Sequence, residues 1–214
     1  MADAGVTRRL GRPPDVDSAA TRDRLVTTAR KLFARDGFEA TTNRDIAQAA
    51  GITTGAIYHY FPSKADLYIA VYTETIELVY SEFEKAIAHH DALLDQYVAV
   101  LDAAGRMNEA DHSVTAFVVA IASEAQRHPV LAERLRAVRG RNTNFFRAMV
   151  ADAAARGELA PEVDERGLAD LLSAVLAGMA RLSTVTGDRR RQAAAMCALK
   201  RFLDGTLIQR TPSA

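Results

Sequence analysis

Four polar side chains fall within seven residues of one another at Thr53, Thr54, Tyr58 and His59, and an arginine, Arg44, lies nine residues before Thr53. None of these is a strong nucleophile or a metal-ligand set. Together they are groups that touch nucleic acid. A threonine can bond a base edge or lay its methyl on a thymine methyl, and an arginine can grip guanine O6 and N7 with two bonds. Tyrosine and histidine can reach a phosphate, and Tyr58 could also pack on a thymine methyl. Such contacts need a helix that stands out from the protein and enters the major groove.

The surrounding segment, TTNRDIAQAAGITTGAIYHYFPSK over residues 41–64, reads as that device. Ile46, Ala47 and Ala50 form one apolar stripe, and Ile57 with Phe61 forms another at helical spacing. Asn43 and Thr53 or Thr54 can each open a helix by accepting a bond from a free backbone N–H. Thr42 can do the same or donate to a phosphate. Gly51 supplies the left-handed residue that a tight turn needs. Ala47 lets two helices cross closely. An ordinary helical hairpin would use the same pattern, and Thr54 could be a plain helix cap. Tyr60 shares the apolar side with Ile57 and reads as a core aromatic, with a hydroxyl that could meet a phosphate.

The flanks carry the decisive pattern. Upstream come a basic arm, RRLGRPP, and a long amphipathic helix ending in LFARDGF; downstream YHYFPSKADL ends one helix and opens another at Ser63. With TTNRDIAQAAG, AIYHYFPSK and Leu67, residues 18–70 resemble the DNA-binding domain of TetR-family transcriptional repressors. The resemblance implies that Thr54 and Gly55 lie near base edges, with glycine allowing close approach. It also implies that Arg44 reaches a base edge or phosphate and that Lys64 clamps the backbone. A lysine in a first helical turn opposes the helix dipole, which agrees with an anionic partner for Lys64. Arg44 could instead pair with Asp45 or Asp23 at the surface. Arg8, Arg9 and Arg12 could enter the minor groove or remain solvated.

Length and composition bound the rest. The chain has 214 residues, 49% of them hydrophobic, with six prolines and twelve glycines. It can bury a sizeable core, and no window alternates apolar with polar residues, so the expected fold class is all-α. Net charge is zero, but residues 1–64 carry a net +3 and the remainder a net −3, a sign that suits an amino-terminal DNA contact. The expected organisation is a flexible basic arm over 1–16, a helix-turn-helix domain over 17–64, and a helical ligand-binding and dimerisation domain over 65–214. About nine helices are expected, near 18–36, 43–50, 54–60, 64–89, 91–106, 112–127, 129–156, 164–186 and 189–208. Gly105, Pro129, Gly157 to Pro161 and Gly187 serve as punctuation.

The carboxy-terminal region has no motif of its own. The resemblance implies a small-molecule effector among its helices. Candidate lining residues are Tyr72, Met107, Phe117, Ile121, Phe145 and Met149, with Asn142, Asn144 and Glu124 as polar contacts. Each apolar one could equally be core. An apolar or amphipathic effector is the default for such a site. Within LADLLSAVLAGMARL, Leu171, Ala174, Val175 and Gly178 lie on nearby turns and could receive a partner helix, or pack within the chain. Residues 168–182 are interrupted by Asp170, Ser173 and Arg181, too polar for a bilayer span.

No catalytic site is expected. The sequence holds no glycine-rich phosphate loop, no H-E-x-x-H and no G-x-S-x-G. His89 and His90 point about 100° apart on a helix. Glu109, Asp111 and His112 could hold a metal only weakly, so neither a metal nor a cofactor is expected. A helical enzyme or a structural scaffold remains the alternative class. Cys197, the sole cysteine, excludes an internal disulfide and reads as a small buried residue. The start lacks an apolar signal segment, so a cytoplasmic protein without a membrane partner is expected.

Overall fold

The structure is a computed structural model and describes residues 14–138 and 140–207. Ten helices occur among these residues and no strand. They are α1 (Pro14–Ala40), α2 (Asn43–Ala50), α3 (Thr54–Tyr60), α4 (Lys64–Ile87), α5 (Leu93–Ala110), α6 (His112–Arg127), α7 (Pro129–Val138), α8 (Gly140–Ala155), α9 (Glu165–Thr186) and α10 (Arg189–Leu203). The all-α class is thus as expected.

α1 presents Leu25, Ala29 and Phe33 at helical spacing, and all three are essentially inaccessible. Burying side chains the size of Leu or Phe stabilises by about 1.5–3 kcal/mol each. The helical path breaks at Gly37, where φ is 82° and ψ 173°, and the Thr41 hydroxyl closes the break by donating to the Gly37 carbonyl at 2.7 Å. Glycine alone adopts that backbone readily. α2 rests on α1, and α3 on α2, through Ile46, Ala47, Ala50 and Ile57, all buried. The long helix α4 then packs against α1, α5, α6, α7 and α8, so one core runs from the first helix into the carboxy-terminal bundle.

Several sequence expectations change. Pro14 lies inside the first turn of α1, where its missing N–H costs nothing, so this helix begins before the expected residue 18. Gly105 does not end a helix; α5 continues to Ala110. The helix expected over 129–156 is seen as α7 and α8 on either side of residue 139, which lies outside the described residues. Cys197 is exposed on α10, not buried. By length and composition α9 is apolar enough to cross a membrane, against the reading that it is too polar. Its Ala169, Leu172 and Ser183 are nevertheless buried against the rest of the chain, and the buried Tyr97 hydroxyl donates to the Leu172 carbonyl at 2.8 Å.

Candidate nucleic-acid interface and effector cavity

Local hydrogen bonds fix the reading element. Thr42 caps α2: its hydroxyl accepts from the Asp45 N–H at 3.2 Å, while the Asp45 carboxylate accepts from the Thr42 hydroxyl at 2.6 Å and from its N–H at 3.0 Å. This reciprocal box satisfies donors at the helix start. The Thr42 bonds, its hydroxyl first, hold the Asp45 carboxyl below its ordinary value. Gly51 ends α2 in the left-handed region at φ 67°, and the Ile52 N–H bonds back to the Ala47 carbonyl at 3.0 Å. Arg24, from α1, donates to the Ala50 carbonyl at 3.1 Å. Both ends of α2 are therefore pinned.

Thr53 caps α3 by accepting from the Ala56 N–H at 3.2 Å. Capping falls to Thr53, so Thr54, which is half-buried, is not the cap. Gly55, Tyr58 and His59 are exposed, and Tyr58 keeps 53% of its surface. Arg44 is also exposed and has no ion pair among the described residues, so neither Asp45 nor Asp23 holds it. Tyr60 is half-buried, and its hydroxyl shares a hydrogen bond with the Ser18 hydroxyl at 3.2 Å rather than standing free for a phosphate.

Lys64 requires a different account from the expected phosphate clamp. Its ammonium donates to the carbonyls of Phe38 at 2.8 Å, Thr41 at 3.0 Å and Glu39 at 3.3 Å, and lies 4.4 Å from the centre of the Phe38 ring. Three donors are spent on the end of α1. The charge that opposes the α4 dipole is answered by the carbonyls that α1 leaves unpaired. Phe38, Phe33 and Tyr68 then stack within 5.0–6.0 Å and join this corner to α4.

A second seam links α1 to α6. Arg30 donates to the Asp111 carboxylate at 2.7 Å and to the Ser113 hydroxyl at 3.2 Å. Burial works to raise the Asp111 carboxyl, but the Ser113 bonds and Arg30 outweigh it and leave it below its ordinary value. Asp111 thus caps α6, and His112 bonds Asn108 at 2.9 Å; their neighbourhood is structural. Nearer the kink, Glu124 is 4% exposed with Oε2 3.4 Å from His128 Nε2. Sequence reasoning offered Glu124 as an effector contact and missed its place against Gly37. No short-range pattern reports a contact between α6 and the end of α1.

A cavity of about 120 Å³ lies between α4, α5, α6, α8 and α9. Tyr80 and Phe83 wall it from α4, Met107 from α5, Thr115 and Val118 from α6, and Phe146 from α8. Of the expected lining residues only Met107 borders it. Tyr72, Phe117, Ile121 and Met149 are packed in the core, and Phe145 stacks behind the wall on Tyr80 and Phe83 at 5.4 and 5.9 Å. Asn144 is exposed, and the Asn142 side chain lies outside the described residues, as do Arg8, Arg9 and Arg12.

Comparison with known proteins places this architecture. Residues 25–71 match the family described as "Bacterial regulatory proteins, tetR family", and residues 91–198 match "Tetracyclin repressor-like, C-terminal domain". The chain belongs to the TetR family of bacterial transcriptional regulators. It is 27% identical over 198 residues to the HTH-type transcriptional regulator UidR of Escherichia coli K12, covering 89% of this chain and 95% of the relative. It is 30% identical over 169 residues to the HTH-type transcriptional repressor KstR2 of Rhodococcus jostii RHA1, covering 74% and 81%. The solved structure of Salmonella enterica GusR superposes with a TM-score of 0.67 at 30% identity, covering 94% of this chain and 99% of that one.

Proposed function

We propose that this regulator represses transcription in the cytoplasm by binding an inverted-repeat operator as a homodimer, and that a small apolar or amphipathic effector releases it. Residues 17–64 form the reading head and residues 65–214 the effector and dimerisation domain. The observation that carries the reading is the pairing of two exposed surfaces on a fully packed chain. One is α3 with its neighbour Arg44. The other is the outer side of α9 and α10, where Leu171, Val185 and Phe202 keep 57%, 72% and 61% of their surface. Ala174 and Gly178 are exposed beside Leu171, and a Cβ built at Gly178 would meet nothing within 4 Å. Positions 171, 174, 178 and 185 follow the spacing of a helix–helix seam. Val175, by contrast, packs inward on the core.

Base contacts fall to Thr54, with Arg44 as the second choice. Thr42, Thr53, Gly55, Tyr58 and His59 position the head on the backbone or permit close approach. Two heads on a two-fold axis read inverted half-sites. Selection from a random DNA library is expected to return an inverted repeat; a direct repeat or no enrichment refutes the reading. Gly178→Arg places bulk and charge in the seam and is expected to sediment as a monomer with weakened operator binding. A wild-type monomer at micromolar concentration refutes the dimer.

A further inference from the structure

We infer that the group received by the cavity beneath α9 is an uncharged hydrocarbon ring of about the size of benzene. This deepens the effector reading above and rests on it. No Asp, Glu, Lys, Arg or His is among the described residues that line the cavity. Its heteroatoms are the Tyr80, Thr115 and Ser173 hydroxyls, the Met107 sulfur and the backbone. Burial, with Tyr72 a lesser cause, raises the Tyr80 phenol above its ordinary value, so this hydroxyl stays neutral. An ionised carboxylate or ammonium moved here would lose its hydration with no opposite charge among the described lining residues to replace it, a far larger cost than an apolar group incurs.

Size and shape narrow the class. The volume is about 120 Å³. An engineered apolar cavity of about 150 Å³ stays dry and takes up benzene. Tyr80 and Phe83 meet edge to face at 5.5 Å, and with Phe146 they give the cavity an aromatic wall, which favours an offset or edge-on ring over a flexible chain. The opposite wall is small: Ser173 and Ala177 of α9 and Ala104 of α5 leave the space that larger residues would fill.

The test uses the full-length protein without DNA and three probes of matched shape: fluorobenzene, 4-fluorobenzoate and 4-fluorobenzylammonium, titrated by ¹⁹F NMR. Fluorobenzene is expected to bind at least about tenfold more tightly than either ion, a factor that corresponds to about 1.4 kcal/mol. Val118→Phe and Ala104→Leu, which fill the space from α6 and α5, are expected to weaken fluorobenzene binding by about tenfold or more while circular dichroism shows wild-type helix content. Should both variants unfold, the ranking of the three probes on wild type decides. An ion that binds as well as fluorobenzene, no binding of any probe, or folded filling variants that bind as wild type would each overturn the inference. A failed operator selection sinks the repressor reading alone, and failed fluorobenzene binding with operator binding intact sinks the ligand class alone.

Discussion

Gly37→Ala tests whether the kink in α1 is held by the effector domain. Two costs combine. At φ 82° and ψ 173° an alanine occupies a region that only glycine populates readily, a strain of about 1–3 kcal/mol. The new Cβ would also stand 3.0 Å from Glu124 Oε1, so a 4%-exposed carboxylate must yield by a few tenths of an ångström. It has little room, with His128 Nε2 at 3.4 Å and Arg127 at 3.5 Å. The sum is about 2–3 kcal/mol, and for a chain of this length that lowers the melting temperature by about 4–12 °C. Melting is followed by far-ultraviolet circular dichroism at fixed protein concentration, because a dimer's midpoint depends on it. Gly157→Ala is the control: φ is 74°, but no atom lies within 4 Å of its Cβ, so it should cost about 1 kcal/mol. In a double-mutant cycle, Glu124→Asp should recover part of the Gly37→Ala loss by withdrawing the carboxylate, leaving the backbone strain. A Gly37→Ala midpoint no lower than that of Gly157→Ala, or no coupling to Glu124→Asp, would refute the reasoning.

Lys64→Ala removes the cation that joins α4 to the end of α1. It should cost about 1–2 kcal/mol in thermal or urea unfolding as well as weakening DNA binding; a wild-type melt with only a reduced salt slope would return Lys64 to the phosphate role. Thr54→Ala should cost about 1–3 kcal/mol on the preferred operator and relax preference at one position without changing the melt, with Arg44→Ala run beside it; a change confined to the salt slope would move the recognition surface by about a turn. The Ser63 hydroxyl, and after it Arg134, holds the Asp66 carboxyl below its ordinary 3.8. Its contribution to stability is therefore whole above about pH 4, and is lost as pH falls through the lowered folded value. Asp66→Asn should lower stability at pH 7 and flatten the acid limb of the melting curve; an acid limb as steep as wild type would contradict this.

The reading head was legible because its geometry is set within a few residues. Thr42 with Asp45, Gly51 at the end of α2, Thr53 before α3 and Ser63 before α4 each use bonds that span three to five positions. The cavity was not legible for a related reason. Helical spacing marks which side of a helix is buried, but not whether that side meets another side chain or a void. Tyr72, Phe117 and Ile121 have the spacing and meet neighbours; Ala104, Ser173 and Ala177 make a cavity by what they lack. The contacts of Lys64 within the chain were not legible because its partners lie 23–26 residues earlier, past two intervening helices.

Those long-range contacts bear on how a ring inside the bundle could move the head. The exposed Arg22–Glu74 and Arg134–Asp66 pairs join α4 to α1 and α7, but surface pairs of this kind contribute only about 0–1 kcal/mol each. The Phe33–Phe38–Tyr68 stack and the Lys64 ammonium are stronger ties, and both bind the head to the first turns of α4. The cavity first meets α4 at Ile76, twelve residues and so about 18 Å beyond Lys64 along the same helix. Under the proposed mechanism the head and the start of α4 move together. The contacts that must then change are those facing α6: Phe38 on His128 at 5.2 Å, Tyr68 on Phe117 at 5.1 Å, and Gly37 against Glu124. The coupling usual between an effector and its target is about 1–3 kcal/mol, the same scale as altering one or two such contacts. Loosening this seam without the effector should therefore mimic part of its effect, and Phe117→Ala, which empties the centre of the seam, is the substitution that acts there without touching the cavity wall.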